Sequence, residues 1–311
     1  MSVNLPKQVT IIEVGPRDGL QNEKSIIPTE AKIDFIKKLK MAGIQEMELT
    51  SFVSPKWVPQ MKDAEEIITS CLDGTRNIVL APNQKGIERL YGTNCKAVAV
   101  FVGVSESFNK KNINKTTSES MEELKPLIGE IKEKGYFVRA CISTSFYCPY
   151  EGKIDEEDVL RLCSTFVQYG VDELSVADTI GKANPKEVFS LFSILKKELP
   201  HTMLTAHFHD TRGMALANVF AALQAGIDRF DTSAGGLGGC PFAPGATGNV
   251  ATEDVVYMIE KMGISTGLDL SKLVEAVDVI KPHLSHPIES KFYRLQRQNK
   301  NILTENSTSY P

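Results

Sequence analysis

Val9-Thr10-Ile11-Ile12-Glu13-Val14 runs directly into Gly15-Pro16-Arg17-Asp18-Gly19-Leu20-Gln21-Asn22. The first six residues form a short, apolar and largely β-branched run of the kind that builds a buried strand. The continuation decides the fold class. A dinucleotide-binding open sheet would place GxGxxG straight after its first strand, and Gly-Pro-Arg-Asp is no such phosphate loop. The strand instead ends in a cation beside a carboxylate.

Working outward, similar runs recur at Glu46–Phe52, Asn77–Ala81, Ala97–Val104, Phe137–Thr144, Glu173–Ala177, Leu204–His209 and Arg229–Ser233, which with Val9–Val14 makes eight strand candidates. Helical patterns lie between most of them: Thr29–Met41, Met121–Lys134, Glu156–Tyr169, Pro185–Leu199 and Met214–Ala225. Thr29 and Asp155 read as helix caps, and Gly43, Gly135, Gly170 and Gly226 as helix stops. Strands alternating with helices imply parallel pairing with right-handed crossovers, and eight such units imply a closed (β/α)8 TIM barrel. The alternative is a doubly wound open sheet. The expected organisation is one barrel domain over about residues 9–262 with a C-terminal helical extension over about 263–297, including a helix at Ser271–Ile280, and a polar tail at 298–311. Composition turns polar from Lys291 onward, so fraying is expected over Lys291–Pro311.

The 311 residues are 42% hydrophobic and 24% charged, enough to bury a substantial core. A net charge of -4, from 35 basic and 39 acidic residues, gives no broad electrostatic footprint for nucleic acid or an anionic membrane. An acidic ligand must therefore be gripped by local charges. Six cysteines without a CxxC pair argue against a disulfide scaffold and for a reducing compartment. No apolar stretch approaches the roughly 20 residues needed to span a membrane.

In a TIM barrel the functional groups sit where strands end and βα loops begin. The seventh candidate strand ends Ala206-His207-Phe208-His209-Asp210, and the i, i+2 spacing places both imidazoles on one face. That is a metal-ligand pattern, or else a hydrogen-bonded pair of mouth histidines. Asp18, at the end of the first strand, is the natural third ligand because closure brings that strand near the seventh. The bland alternative for Arg17-Asp18 is an ordinary ion pair at a turn. Glu48, on the polar face of Glu46, Glu48 and Thr50, orients Arg17, contacts substrate, or faces solvent. Asp178, closing the sixth strand, carries the same choice.

The stretch Gly235-Gly236-Leu237-Gly238-Gly239-Cys240-Pro241-Phe242-Ala243-Pro244-Gly245-Ala246-Thr247-Gly248-Asn249 holds six glycines in fifteen residues. Such a loop allows close backbone approach to a ligand, whereas a plain linker rarely brings Cys, Pro, Phe and Asn together. Cys240 would sit among backbone N–H groups at the mouth, an environment suited to proton transfer; its alternative, expected for the other five cysteines, is a buried small hydrophobe. Asn249 could offer its carboxamide oxygen as a fourth ligand. One carboxylate, one amide and two imidazoles suit Mg2+ or Mn2+, with a two-His-one-carboxylate iron site as the competing reading.

Val14-Gly15-Pro16-Arg17-Asp18-Gly19-Leu20-Gln21-Asn22-Glu23 and the Gly235–Asn249 loop resemble the two signature segments of the 3-hydroxy-3-methylglutaryl-CoA lyase family, and the resemblance runs from about Val9 to Pro287. Condensing synthases of the isopropylmalate and homocitrate type share the Arg-Asp-Gly turn and the HxH strand but usually carry a further C-terminal domain. They remain the alternative function, with a non-catalytic acyl-CoA-binding barrel behind them. The resemblance implies a homodimeric enzyme that cleaves the acyl-CoA to acetyl-CoA and acetoacetate. It implies Asp18, His207, His209 and Asn249 as holders of Mg2+ or Mn2+. It further implies Arg17, Glu48, Asp178, His207 and Cys240 as the reacting residues, with Arg17, Gln21 and Glu48 against substrate. No Arg-rich leader precedes the first strand, and Ser309-Tyr310-Pro311 lacks the peroxisomal tripeptide, so a bacterial-type cytoplasmic enzyme is expected.

Overall fold

The structure is a computed structural model, and it describes residues 5–239 and 248–298. Eight parallel strands close into a barrel: β1 (Thr10–Glu13), β2 (Glu46–Ser51), β3 (Arg76–Leu80), β4 (Ala97–Gly103), β5 (Phe137–Ser143), β6 (Glu173–Asp178), β7 (Met203–Phe208) and β8 (Arg229–Thr232). Neighbours pair in chain order, and β1 closes on β8 in the register Thr10↔Arg229 through Glu13↔Thr232. The expected barrel is therefore present, and the open sheet is excluded. A two-stranded ribbon, Tyr147–Cys148 with Gly152–Lys153, lies in the loop after β5.

The helices are α1 (Thr29–Met41), α2 (Ala64–Cys71), α3 (Gln84–Tyr91), α4 (Glu106–Ile113), α5 (Thr117–Glu133), α6 (Glu156–Gln168), α7 (Pro185–Glu198), α8 (Ala215–Gln224), α9 (Thr252–Lys261) and α10 (Leu270–Ile280). Most turn an apolar stripe onto the outer face of the barrel, whereas α10 packs against α1 and α9. The main core, with Phe35, Phe166, Phe192, Phe208 and Phe230 all buried, lies between strands and helices. Among the described residues no helix is long and apolar enough to cross a membrane.

Three local expectations need correction. Thr29 does not cap α1: Pro28 holds the cap position, and the Thr29 hydroxyl donates to Asp63 Oδ2 at 3.0 Å, a partner that arrives only on folding. Helix α5 starts at Thr117 rather than Met121, because Thr116 and Glu119 form a reciprocal capping box. Residues 291–298 are helical rather than frayed. The Asp254 carboxylate accepts from the backbone N–H groups of Lys291 (3.0 Å) and Phe292 (2.7 Å), and Tyr293 donates its hydroxyl to Asp278 at 2.7 Å. A polar segment is thus held by distant carboxylates. Asp155 caps α6 as expected, and Gly43, Gly135, Gly170 and Gly226 all adopt positive φ.

The barrel interior is largely polar. At its lower end Arg229 bridges Glu46 (2.6 Å) and Glu173 (3.3 Å), while Arg76 pairs with Glu46 at 2.8 Å. Above lie Arg139, Asp231 and Ser175. Buried charges are tolerated only when paired, and this column pairs them across strands. The C-terminal extension is bound to the mouth as well. Buried Glu23 accepts from the Ser285 N–H (3.0 Å) and hydroxyl (2.8 Å) and lies 2.6 Å from His286 Nε2.

Candidate metal centre

The site begins at the turn Gly15–Gly19, a single π-type turn directly after β1. Asp18, Gly19 and Leu20 direct their N–H groups back to the carbonyls of Val14 and Gly15, which fixes the turn against the barrel rim. From it Arg17 reaches Glu48 on β2: Nε donates to Oε2 at 2.6 Å, and Nη2 approaches the same oxygen. Pairing is irregular between Glu48 and Thr50, a bulge-type shift that re-aims the strand end. Glu48 is 1% exposed, which removes the solvated-edge alternative. Burial alone would lower the Arg17 pKa; Glu48 and Asp18 outweigh it and hold the guanidinium above its ordinary value.

Asp18 is saturated with donors. Its Oδ1 accepts from Arg17 Nη1 at 2.7 Å and from Gln21 Nε2 at 2.8 Å, and its Oδ2 accepts from Asn249 Nδ2 at 2.9 Å. Burial works to raise its pKa, but Arg17, His207 and His209 lower it, so Asp18 stays ionised.

β7 delivers His207 and His209 to the same place, with ring centroids 5.2 Å apart. One ligand atom each from Asp18, His207 and His209 lies within 4.8 Å of the others, a spacing that could hold a metal ion. His207 Nδ1 faces Asp231 Oδ2 at 3.1 Å, which leaves Nε2 for the cluster. Burial depresses the His207 pKa, yet the Asp231 partner raises it overall; His209, without such a partner, is pushed down to about 4 by burial and by His207, and so is neutral. The donor set fits a cation. His209 Nδ1 and Asn249 Oδ1 are buried with no hydrogen-bond partner among the described residues, and buried polar atoms are rarely left unsatisfied unless a bound group completes them. Two guanidiniums, Arg17 and Arg139, stand against the carboxylates of Asp18, Glu48 and Asp231, leaving one net negative charge before an ion enters.

Asp178 ends β6 nearby. Its oxygens accept from the N–H groups of Lys182 (3.0 Å) and Ala183 (2.9 Å), and burial raises its pKa to about 6 despite those bonds. Asn249 lies at the far end of the glycine-rich segment, bridged to His209 in a short antiparallel contact. The near end is also fixed, since Asn22 Nδ2 donates to the Gly239 carbonyl at 3.0 Å. Cys240 lies outside the described residues.

Two residues of this centre were not read from the sequence, Asp231 and Arg139. Both interrupt apolar strands, a signal visible in Phe137-Val138-Arg139-Ala140 and Phe230-Asp231. Cys141 also departs from expectation: four of the five described cysteines are buried, but Cys141 is half-buried, with Sγ 3.9 Å from Glu48 Oε1. Burial and Glu48 push its thiol pKa far up.

Comparison with known proteins identifies the family. The family described as HMGL-like matches residues 8–280. Hydroxymethylglutaryl-CoA lyase YngG of Bacillus subtilis is 47% identical over 289 residues, 92% of this chain and 96% of that protein. The chain belongs to the hydroxymethylglutaryl-CoA lyase family. The human mitochondrial member of this lyase family is 46% identical, over 92% of this chain and 89% of its own length. Among solved structures of the lyase family, that of the Bacillus subtilis enzyme superposes with a TM-score of 0.91 at 46% identity, covering 94% of this chain and 99% of that one. A lyase from Acinetobacter baumannii in complex with coenzyme A and 3-methylmalate gives a TM-score of 0.87 at 37% identity, covering 93% and 95%.

Proposed function

We propose that this chain is a lyase that cleaves (S)-3-hydroxy-3-methylglutaryl-CoA to acetyl-CoA and acetoacetate. The observation that carries the reading is the convergence of Asp18, His207 and His209 beside the Arg17–Glu48 pair at the C-terminal mouth of the barrel, in a chain 47% identical to such a lyase. Asp18, His207, His209 and Asn249 would hold the divalent cation, Mg2+ or Mn2+, since the donors are oxygen and nitrogen without thiolate. Bound there, such an ion supplies Lewis acidity to the substrate's hydroxyl oxygen and orients the acyl chain.

The reaction breaks the C2–C3 bond. Its electron pair passes to the departing acetyl-CoA as an enolate, the tertiary hydroxyl becomes the ketone of acetoacetate, the hydroxyl proton needs an acceptor, and the enolate carbon needs a proton. Arg17 is the group for the enolate oxygen, because a guanidinium already fixed by Glu48 needs no reorganisation when charge develops. Asp178, with a pKa raised to about 6, suits an acceptor working near neutral pH, with His207 as the other candidate. Gln21 and Glu48 are assigned to substrate contact and Cys240 to protonation of the enolate. The Acinetobacter complex with coenzyme A supports an acyl-CoA ligand. The bacterial relatives support a cytoplasmic setting, and the family resemblance supports a homodimer.

The test is acetoacetate release from hydroxymethylglutaryl-CoA, measured with chelator and after Mg2+ or Mn2+ is restored. Metal-dependent release is expected. Free CoA from acetyl-CoA plus a keto acid, with no acetoacetate, would replace this reading with a condensing synthase.

A further inference from the structure

Arg139 lies at the centre of the barrel, fully buried, directly beneath the candidate metal centre. It projects from β5, whereas its partner Asp231 projects from β8; those strands are not neighbours, so the pair spans the interior. One nitrogen, Nη2, serves both Asp231 oxygens. Ser175 adds a second donor to Asp231 Oδ2 at 2.7 Å, the same oxygen that faces His207 Nδ1 at 3.1 Å. Arg139 Nη1 lies 3.9 Å from Glu48 Oε1, and neither Nη1 nor Nε has a hydrogen-bond acceptor among the described residues. A buried guanidinium with two unsatisfied nitrogens is costly, and its stabilising value alone does not account for its being there.

We propose that Arg139 is a positioning residue: it fixes the Asp231 carboxylate, and through it the ring of His207, in the orientation that binds the cation. The same guanidinium stands between the His207 side of the site and the Arg17–Glu48 side, so one buried cation registers both. Its charge works against this role, since a cation under a metal centre repels the metal. Orientation and repulsion therefore give opposite signs when Arg139 is altered, and a binding measurement separates them.

The inference rests on the reading of the cluster as a divalent-cation centre, and the experiment treats the two separately. Mn2+ binding to metal-stripped protein is followed by the electron-spin signal of free Mn2+, with the folded state checked by circular dichroism and melting temperature. In the wild type, Mn2+ is expected to bind; if it does not, the metal reading and this inference fall together. Arg139→Lys keeps the charge but loses the fork, and it is expected to raise the Mn2+ Kd about 10-fold or more, the range typical of lost partners to ligating histidines. Arg139→Met is expected to raise it as much, although removing a positive charge alone would tighten binding. Should Arg139→Met fail to fold, Arg139→Lys and Asp231→Asn decide the matter. Asp231→Asn is expected to weaken binding comparably, and the double variant to add little beyond either single change. A wild type that binds Mn2+ alongside folded Arg139 variants that bind it equally or more tightly, with only the melting temperature lowered, would overturn the inference and leave the metal reading standing.

Discussion

Arg17 Nε donates to Glu48 Oε2 at 2.6 Å between two buried side chains, and the other arm of the guanidinium holds Asp18 at 2.7 Å. One arginine thereby joins a candidate metal ligand to the carboxylate that anchors it. Arg17→Gln is expected to lower kcat by about 100-fold or more, the loss typical of a deleted oxyanion donor, with a much smaller change in KM. Steady-state kinetics of acetoacetate release decide it. A raised KM with kcat intact would assign Arg17 to binding alone.

Ligand binding to the folded state alone stabilises by mass action, about 2.7 kcal/mol at 100 times Kd. Saturating Mn2+ is therefore expected to raise the melting temperature by several degrees. His209→Ala, which deletes a ring within the 4.8 Å cluster, is expected to abolish that shift while leaving the metal-free melting temperature nearly unchanged. Differential scanning fluorimetry with and without Mn2+ measures both, and an undiminished shift in the variant would remove His209 from the ligand set.

Gly181 has φ +59°, and a Cβ there would lie 2.7 Å from the His209 carbonyl and 2.9 Å from Thr211. Gly181→Ala forces the loop after β6 away from the residue that carries one candidate ligand, at a cost of about 1–2 kcal/mol for the left-handed backbone alone. A several-fold rise in Mn2+ Kd is expected beside the lower melting temperature. Loss of stability with unchanged Kd would show the two loops to be independent.

Glu253 is buried with both oxygens on the Gly235 N–H at 3.0 Å, and burial, reinforced by neighbouring Glu13, pushes its pKa up to about 8. Because the folded pKa is raised above its ordinary value of 4.5, the protonated form stabilises the fold. That contribution is full below about pH 4.5 and is lost as pH rises through about 8. Between about pH 6 and pH 9 the loss is about 3 kcal/mol, nearly two pH units at about 1.36 kcal/mol each. Glu253→Gln, permanently neutral, is expected to lose less melting temperature over that interval than the wild type. Parallel pH profiles for the two proteins would contradict it.

His207 and His209 were legible in the sequence because strand alternation alone puts residues i and i+2 on one face. Arg17-Asp18 was legible because charges stood at the end of an apolar strand. Arg139 and Asp231 were not, since a mid-strand charge reads the same whether it faces solvent or a barrel interior. Only closure sets β5 opposite β8 and turns two isolated charges into a pair. Thr29 was misread for a related reason: its hydroxyl prefers Asp63, 34 residues away, to the helix end beside it. Likewise Asn249 was legible as an amide near the mouth, but its bond to Asp18 joins positions 231 residues apart. Local pattern fixed the strands and the rim, while contacts across the barrel fixed the electrostatics.

Glu23, nine residues beyond Val14, finds its partners in Ser285 and His286, the first of them 262 positions later. During synthesis the carboxylate leaves the ribosome long before its donors do. A nascent chain stalled short of Ser285 would already contain all eight strands, yet the turn bearing Arg17 and Asp18 would still lack this anchor. The residues of the barrel itself therefore emerge before the clasp that steadies one edge of its mouth can form.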